Sequence, residues 1–272
     1  MLILNGVLKT EAEATLPATD RALTHGLGLY ETLKLTGGVP VFFEEHIARL
    51  VGGIEALGFD KEIDRRELAD QICRLSEATG VREGACRLLV TAGAPDGDPS
   101  LLVQTNQRAF PQRPLRVISY RGVRVSAQYK AMTVMQSYLA QQAAAAAGVD
   151  DAILVDGEGR IFEGATSNVF VVRAGGLVTP PAEGDILPGV LRAKVEQLAT
   201  ADGITVLEAW ARVADLRADD GLLLTSSVRG IVPVARVDER DLRVDDALLA
   251  LLRGLVDEAE AASAAAFLAI YG

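Results

Sequence analysis

The sequence predicts an α/β protein in two domains, and three observations carry that reading. Short apolar strand-like runs alternate with segments of helical period along the chain. Residues Thr105–Pro114 (TNQRAFPQRP) form a polar stretch with two prolines, the best place for a linker. The 272 residues, 49% hydrophobic and 24% charged, suffice for two modest cores. The expected division is residues 1–104, a linker over 105–114, and residues 115–272.

Leu2–Leu4 and Val7–Lys9 flank Asn5-Gly6, the pair that best supplies the two positive-φ residues of a tight hairpin. After His25-Gly26-Leu27-Gly28 a strand runs from Leu29 to Leu35, and its period of two places Tyr30, Thr32 and Lys34 on one face. Glu44–Leu57 has the stripe of an amphipathic helix. Asp64, followed by Glu67 and the stripe Leu68, Ile72 and Leu75, starts a second helix that Gly80 ends. Arg87–Thr91 and Leu101–Val103 are two more strands, with a loop over residues 94–100 between them. Past the linker, Leu115–Ser119 begins the second domain as a strand. The run Ala143–Ala147 is helical, closed by Gly148. The tail Asp245–Leu268 alternates apolar and acidic residues at helical spacing and predicts a covering helix.

A net charge of −10 argues against nucleic acid or an anionic membrane as the main partner. Two Cys and two His exclude a disulfide scaffold and weigh against a His/Cys metal site. The first residues, MLILNGVLKTEAEATLP, lack the basic start and long apolar core of a signal peptide, and no uncharged stretch reaches spanning length. A cytoplasmic location is expected.

Three features between Lys130 and Pro188 carry chemistry. Lys130 is the only lysine between Lys61 and Lys194, and small or apolar residues follow it. A desolvated lysine amine is a nucleophile that forms a Schiff base with a carbonyl; the plainer reading is a solvated surface lysine. Glu163, in IFEGATSNVFVV, precedes an apolar run where a carboxylate needs a cationic or hydrogen-bonding partner. A pyridinium nitrogen is one such partner, and a turn glutamate facing water is the alternative. Finally, Gly184-Asp185-Ile186-Leu187-Pro188-Gly189 breaks the chain before the helical pattern of Val190, Leu191, Val195 and Leu198. The backbone N–H groups of such a helix start suit a phosphate.

In this order, with LLLTSSVRGIVPV behind them and DRALTHGLGLYETLKL and EEHIARL in front, these segments closely resemble the class IV aminotransferases. These are the fold type IV pyridoxal-phosphate enzymes, which include branched-chain and D-amino-acid aminotransferases, (R)-amine transaminases and aminodeoxychorismate lyases. The resemblance runs from about Leu2 to about Val237. It implies a small N-terminal α/β domain and a larger C-terminal pseudo-barrel domain, a pyridoxal 5′-phosphate cofactor, and a homodimer. It also implies roles. Lys130 is the Schiff-base and proton-moving lysine, and Glu163 is the partner of the pyridine nitrogen. Arg49 and the backbone of Val190 and Leu191 hold the phosphate, gripped from the other side by Ser227 or its neighbour Ser226. Many relatives carry threonine where this chain has Leu191. Tyr30 matches a tyrosine that lines the substrate pocket.

The substrate is less determined. D-amino-acid aminotransferases of the best-known type bind the substrate carboxylate with the arginine of a TRG motif, and Thr91-Ala92-Gly93 lacks it. Arg87, at a branched-chain-type position, shares strand parity with Thr91; Lys34, Arg108 and Arg229 are the other candidate cations. The expected activity is ping-pong transfer of an amino group between a small amino acid, D configuration included, or an amine, and a 2-keto acid. The alternative is 4-amino-4-deoxychorismate lyase, favoured by LYETL and SSVRGIVPV, which would eliminate pyruvate. A non-catalytic role would be signalled by loss of Lys130 or Glu163, and both are present.

Overall fold

The computed structural model describes residues 1–107, 110, 113–182 and 184–272. The chain separates into two compact units. Unit 1 holds residues 1–109, 129–133 and 259–272; unit 2 holds 110–128 and 134–258. The segments 129–133 and 259–272, which a linear division would give to the second domain, thus count with the first. The expected linker falls partly outside the described residues, and its opening residues instead finish a strand that ends at Asn106.

Unit 1 is built on a six-stranded antiparallel sheet in the order β2-β1-β6-β5-β3-β4. Its strands are β1 (Leu2–Leu4), β2 (Val7–Lys9), β3 (Gly28–Thr36), β4 (Val39–Pro40), β5 (Gly84–Thr91) and β6 (Leu101–Asn106). Asn5 and Gly6 both take positive φ, as the β1–β2 turn requires. Two helices, α2 (Phe43–Leu57) and α3 (Arg65–Thr79), bring Phe43, Ile47, Leu50 and Ile54 and Leu68, Ile72 and Leu75 into the core that also takes Leu29, Leu33, Leu88 and Val103 from the strands. Asp64 caps α3 by accepting from the N–H groups of Arg66 and Glu67, and Gly80 closes it in the left-handed conformation. Glu67 accepts from the Gln71 side chain, so the cap is a single one. The five-residue helix α1 (Arg21–His25) is too short to leave a periodic signature.

Unit 2 carries a nine-stranded sheet, in the order β12-β11-β10-β13-β14-β7-β8-β9 with β15 on β14. These are β7 (Leu115–Arg121), β8 (Asp151–Val155), β9 (Ile161–Gly164), β10 (Asn168–Arg173), β11 (Gly176–Thr179), β12 (Val206–Glu208), β13 (Gly221–Ser226), β14 (Gly230–Val237) and β15 (Arg240–Asp241). The helices are α4 (Met135–Ala146), α5 (Val190–Ala201) and α6 (Asp246–Tyr271), whose last residues count with unit 1. Every residue of β8 is buried because both its faces are covered. Ile153 and Val155 join the cluster of Leu115, Val169, Leu224 and Val234. Ala152 and Leu154 face Ala140 and Ala144 of α4. Of the alanine run, Ala144 thus packs on the buried strand, while Ala145, Ala146 and Ala147 are exposed. Among the described residues no helix is long and apolar enough to cross a membrane, and no His/Cys/Asp/Glu group could hold a metal.

Candidate active site

In unit 1, β3 alternates as its period demands: Tyr30, Thr32 and Lys34 are half-buried on one face, while Leu29, Glu31, Leu33 and Leu35 are buried on the other. The lysine segment is laid along this strand. Tyr30 N–H donates to the Lys130 carbonyl and Met132 N–H to the Gly28 carbonyl, each at 2.9 Å. Gly28 is what lets the segment lie so close, since a Cβ there would stand 2.4 Å from Met132 Sδ and 2.9 Å from the Val90 carbonyl oxygen. The result places Lys130 Nζ 4.7 Å from the centre of the Tyr30 ring. Arg87, opposite Thr32 on β5, puts its guanidinium carbon 4.8 Å from the same centre. Two cations thus share one aromatic wall.

The buried face of β3 carries a group that strand parity alone could have flagged, because a carboxylate among Leu29, Leu33 and Leu35 must have a partner. Glu31 is 0% exposed. Arg49 Nε and a terminal nitrogen donate to its two oxygens at 2.7 Å, and His46 Nδ1 lies 2.7 Å from Oε2. Burial acts to raise the Glu31 carboxyl, but Arg49 and His46 outweigh it and hold it well below the usual carboxylate range. Burial also pushes His46 down, against the pull of Glu31, with Arg49 and Lys130 adding to the depression. The spacing of Ile47, Leu50 and Ile54 sets Arg49 beside the apolar stripe of α2, and Glu31 fixes the direction of its guanidinium.

In unit 2, Glu163 lies on β9 and is 1% exposed, which removes the reading of a turn glutamate facing water. Arg124 donates from Nε at 2.7 Å and lies 2.6 Å away through a terminal nitrogen, both to Oε1, while the Leu187 N–H reaches Oε2 at 3.4 Å. The EGATSN and GDILPG segments meet here. Asn168 donates its amide to the Leu187 carbonyl at 2.8 Å. A Cβ on Gly189 would sit 1.9 Å from Asn168 Oδ1, so any larger residue before α5 would displace the Asn168 side chain. Gly189 caps that helix without a side-chain hydrogen bond, leaving the N–H groups of Val190 and Leu191 at its start. Thr225, paired with Asn168 across β13 and β10, has a buried hydroxyl without a partner among the described residues. Ser226 ends β13 and Ser227 follows in the turn, half-buried.

The remaining candidate cations are placed differently. Lys34 is ion-paired with the nearly buried Glu260, and Arg229 with buried Asp151 at 2.7 Å. Their charges are thereby engaged. Arg108 lies outside the described residues. Arg87 retains a buried Nε with no partner among those described.

The family model for amino-transferase class IV matches residues 28–237. The chain belongs to the class IV aminotransferases. A "putative branched-chain-amino-acid aminotransferase" of Methanocaldococcus jannaschii is 32% identical to it, over 88% of this chain and 88% of that protein. A D-alanine aminotransferase of Bacillus licheniformis is 29% identical, over 87% and 88%. A crystal structure of a "putative 4-amino-4-deoxychorismate lyase" from Legionella pneumophila superposes with a TM-score of 0.85 at 25% identity, covering 92% of this chain and 97% of that one. The fold is that of the fold type IV transaminases, and the family's cofactor is pyridoxal 5′-phosphate. The residues of this class IV chain fit that group. Unit 2 holds a buried carboxylate of the kind that accepts a ring N–H, a helix start without a side-chain cap whose N–H groups suit a phosphate, and a buried Thr225 hydroxyl without a partner among the described residues.

Proposed function

We propose that this class IV aminotransferase moves the amino group of a small α-amino acid, D-alanine and branched-chain donors included, to a 2-keto acid by a ping-pong mechanism. The observation that carries this reading is the shared wall of Tyr30: a lysine amine on it, and beside it an arginine whose Nε is buried and unspent. An α-amino acid needs both, a base for its α-proton and a cation for its carboxylate.

Bound pyridoxal phosphate supplies a carbonyl that condenses with amines and a ring that accepts an electron pair. The chain's residues do the rest. Lys130 Nζ takes the proton from the substrate α-carbon and returns it. Glu163 accepts the ring N–H and keeps that nitrogen protonated. Arg49, the N–H groups of Val190 and Leu191 and the Ser227 hydroxyl hold the phosphate. Tyr30 walls the substrate and Arg87 binds its carboxylate. Lys34 is the weaker substrate contact because Glu260 already takes its charge. We expect the working form to be a homodimer in the cytoplasm.

Arg87→Leu tests the substrate half of this reading. Loss of a charge-assisted hydrogen bond should lower kcat/KM for carboxylate-bearing donors by roughly 10–100-fold, while an amine lacking the carboxylate is spared. Equal losses with both donor types would remove Arg87 from the substrate site. Glu163→Gln should slow turnover by roughly 10²–10³-fold, as expected when a charge aimed at the reacting group is neutralised. Steady-state turnover with saturating cofactor is the measurement, and an unchanged rate would mean the ring partner is another residue.

A further inference from the structure

We infer that Arg229, through its ion pair with Asp151, is a positioning residue that fixes the turn carrying the phosphate-binding Ser227. The inference rests on the phosphate role proposed for Ser227. Ser226 pairs with Gly230 where β13 turns into β14, which leaves Ser227, Val228 and Arg229 as a three-residue turn. Gly230 closes it at a φ of 70°, the positive-φ residue that such a turn requires. Residues 226–230 are all half-buried. A hairpin turn is the least ordered part of its hairpin unless something outside the ladder ties it down. Among the described residues, Arg229 is the member of this turn whose side chain does so. A terminal nitrogen donates to Asp151 Oδ2 at 2.7 Å, from 78 residues away in the chain.

The partner makes this tie a firm one. Asp151 opens β8, and its side chain is 3% exposed against 14% for Arg229. A carboxylate so enclosed is costly without a cation beside it, so the pair does not open to water as a surface pair does. β7 lies between β14 and β8 in the sheet, and the ion pair thus joins strands that do not pair with each other. The far end of the tie is equally well placed. β8 is the strand that seats the EGATSN segment: Leu154 stands opposite Glu163 in the β8–β9 ladder, and the Ala165 N–H donates to the Ala152 carbonyl at 2.9 Å. The turn with the phosphate-binding hydroxyl is therefore tied to the strand that sets the place of Glu163. A ligand with a phosphate at one end and a ring nitrogen at the other has a fixed length. Its two grips must keep a fixed separation, and Arg229 is the side chain that holds it.

The test compares two ligands that differ only in the phosphate, and it does not require catalysis. Pyridoxal phosphate and pyridoxal are titrated separately into cofactor-free wild type, Arg229→Met, Asp151→Asn and Ser227→Ala, and Kd is read from absorbance. Arg229→Met and Asp151→Asn should each weaken pyridoxal phosphate by roughly tenfold or more, the scale of a charge-assisted hydrogen bond moved out of line. Pyridoxal, with no phosphate to grip, should change by less than about twofold. Charge alone predicts opposite signs, since losing Asp151 removes a negative charge and would tighten the phosphate. Arg229→Lys keeps the charge but not the fork; it should fall between wild type and Arg229→Met, and it serves where the other two variants do not fold. Equal losses for both ligands, no loss with either, or tighter phosphate binding in Asp151→Asn would overturn the positioning role. A Ser227→Ala variant that binds pyridoxal phosphate like wild type would instead overturn the role proposed for Ser227 itself.

Discussion

Lys130→Ala is expected to lower transaminase turnover by about 10⁴-fold or more, since in the proposed mechanism one amine serves as both covalent anchor and proton carrier. The loss should fall in kcat rather than in the KM of the keto acid. The position explains the severity. The segment carrying Lys130 is bonded to β3 through Tyr30 and Met132, and Gly28 allows that close approach. No other lysine lies in that segment, and Lys34 on β3 is held by Glu260. Borohydride reduction of the loaded wild type should attach cofactor to the peptide containing Lys130, and the variant should show no such attachment. Near-normal turnover by Lys130→Ala would contradict the assignment.

Glu31→Gln is expected to destabilise the cofactor-free protein by about 3–5 kcal/mol, the cost of breaking a buried ion pair from one side. Arg49 would lose half of its bidentate partner and His46 the acceptor of its Nδ1 proton. In a chain of this size that corresponds to a fall in Tm of roughly 6–20 °C. The same cluster sets a pH dependence. Glu31 is held below the usual carboxylate range, so its contribution is complete above about pH 4.3, the ordinary glutamate value, and is lost as pH falls further. His46 is held below the ordinary histidine value, so below about pH 6.5 the unfolded chain binds a proton that the folded one refuses, and stability declines there as well. Urea unfolding between pH 2 and 8 checks both statements. A stability loss under about 1 kcal/mol in Glu31→Gln would mean the cluster adds nothing beyond a surface pair.

Much of this was legible in the sequence where the signal is local. Asn5-Gly6, the Asp64 cap and the glycines at 80 and 148 end or begin elements by short-range backbone chemistry, and each does so in the structure. Strand parity placed Tyr30, Thr32 and Lys34 together and Arg87 on the matching face, because a period of two survives any detail of packing. What escaped was pairing across distance. Glu31 meets His46 and Arg49 from 15 and 18 residues away, and Arg124 meets Glu163 from 39. For Glu31 the clue was present, since a carboxylate on the apolar face of β3 demands a cation. For Arg124 there was none: its neighbours Val123 and Val125 give no pattern that points to a buried acid. Cation candidates could be named from the sequence, but only contacts distinguish Arg87, with its unspent Nε, from Lys34 and Arg229, whose charges Glu260 and Asp151 take up.

The measurement that bears most directly on transamination is the visible spectrum of the yellow cofactor-loaded protein, recorded before and after adding an amino donor with no keto acid. D-alanine, L-leucine and an (R)-amine are tried in turn. Transamination predicts that at least one of them bleaches the yellow band and releases a stoichiometric amount of its keto product. If none does so, while aminodeoxychorismate is turned over with release of pyruvate, the chain is a lyase and the proposed activity is wrong.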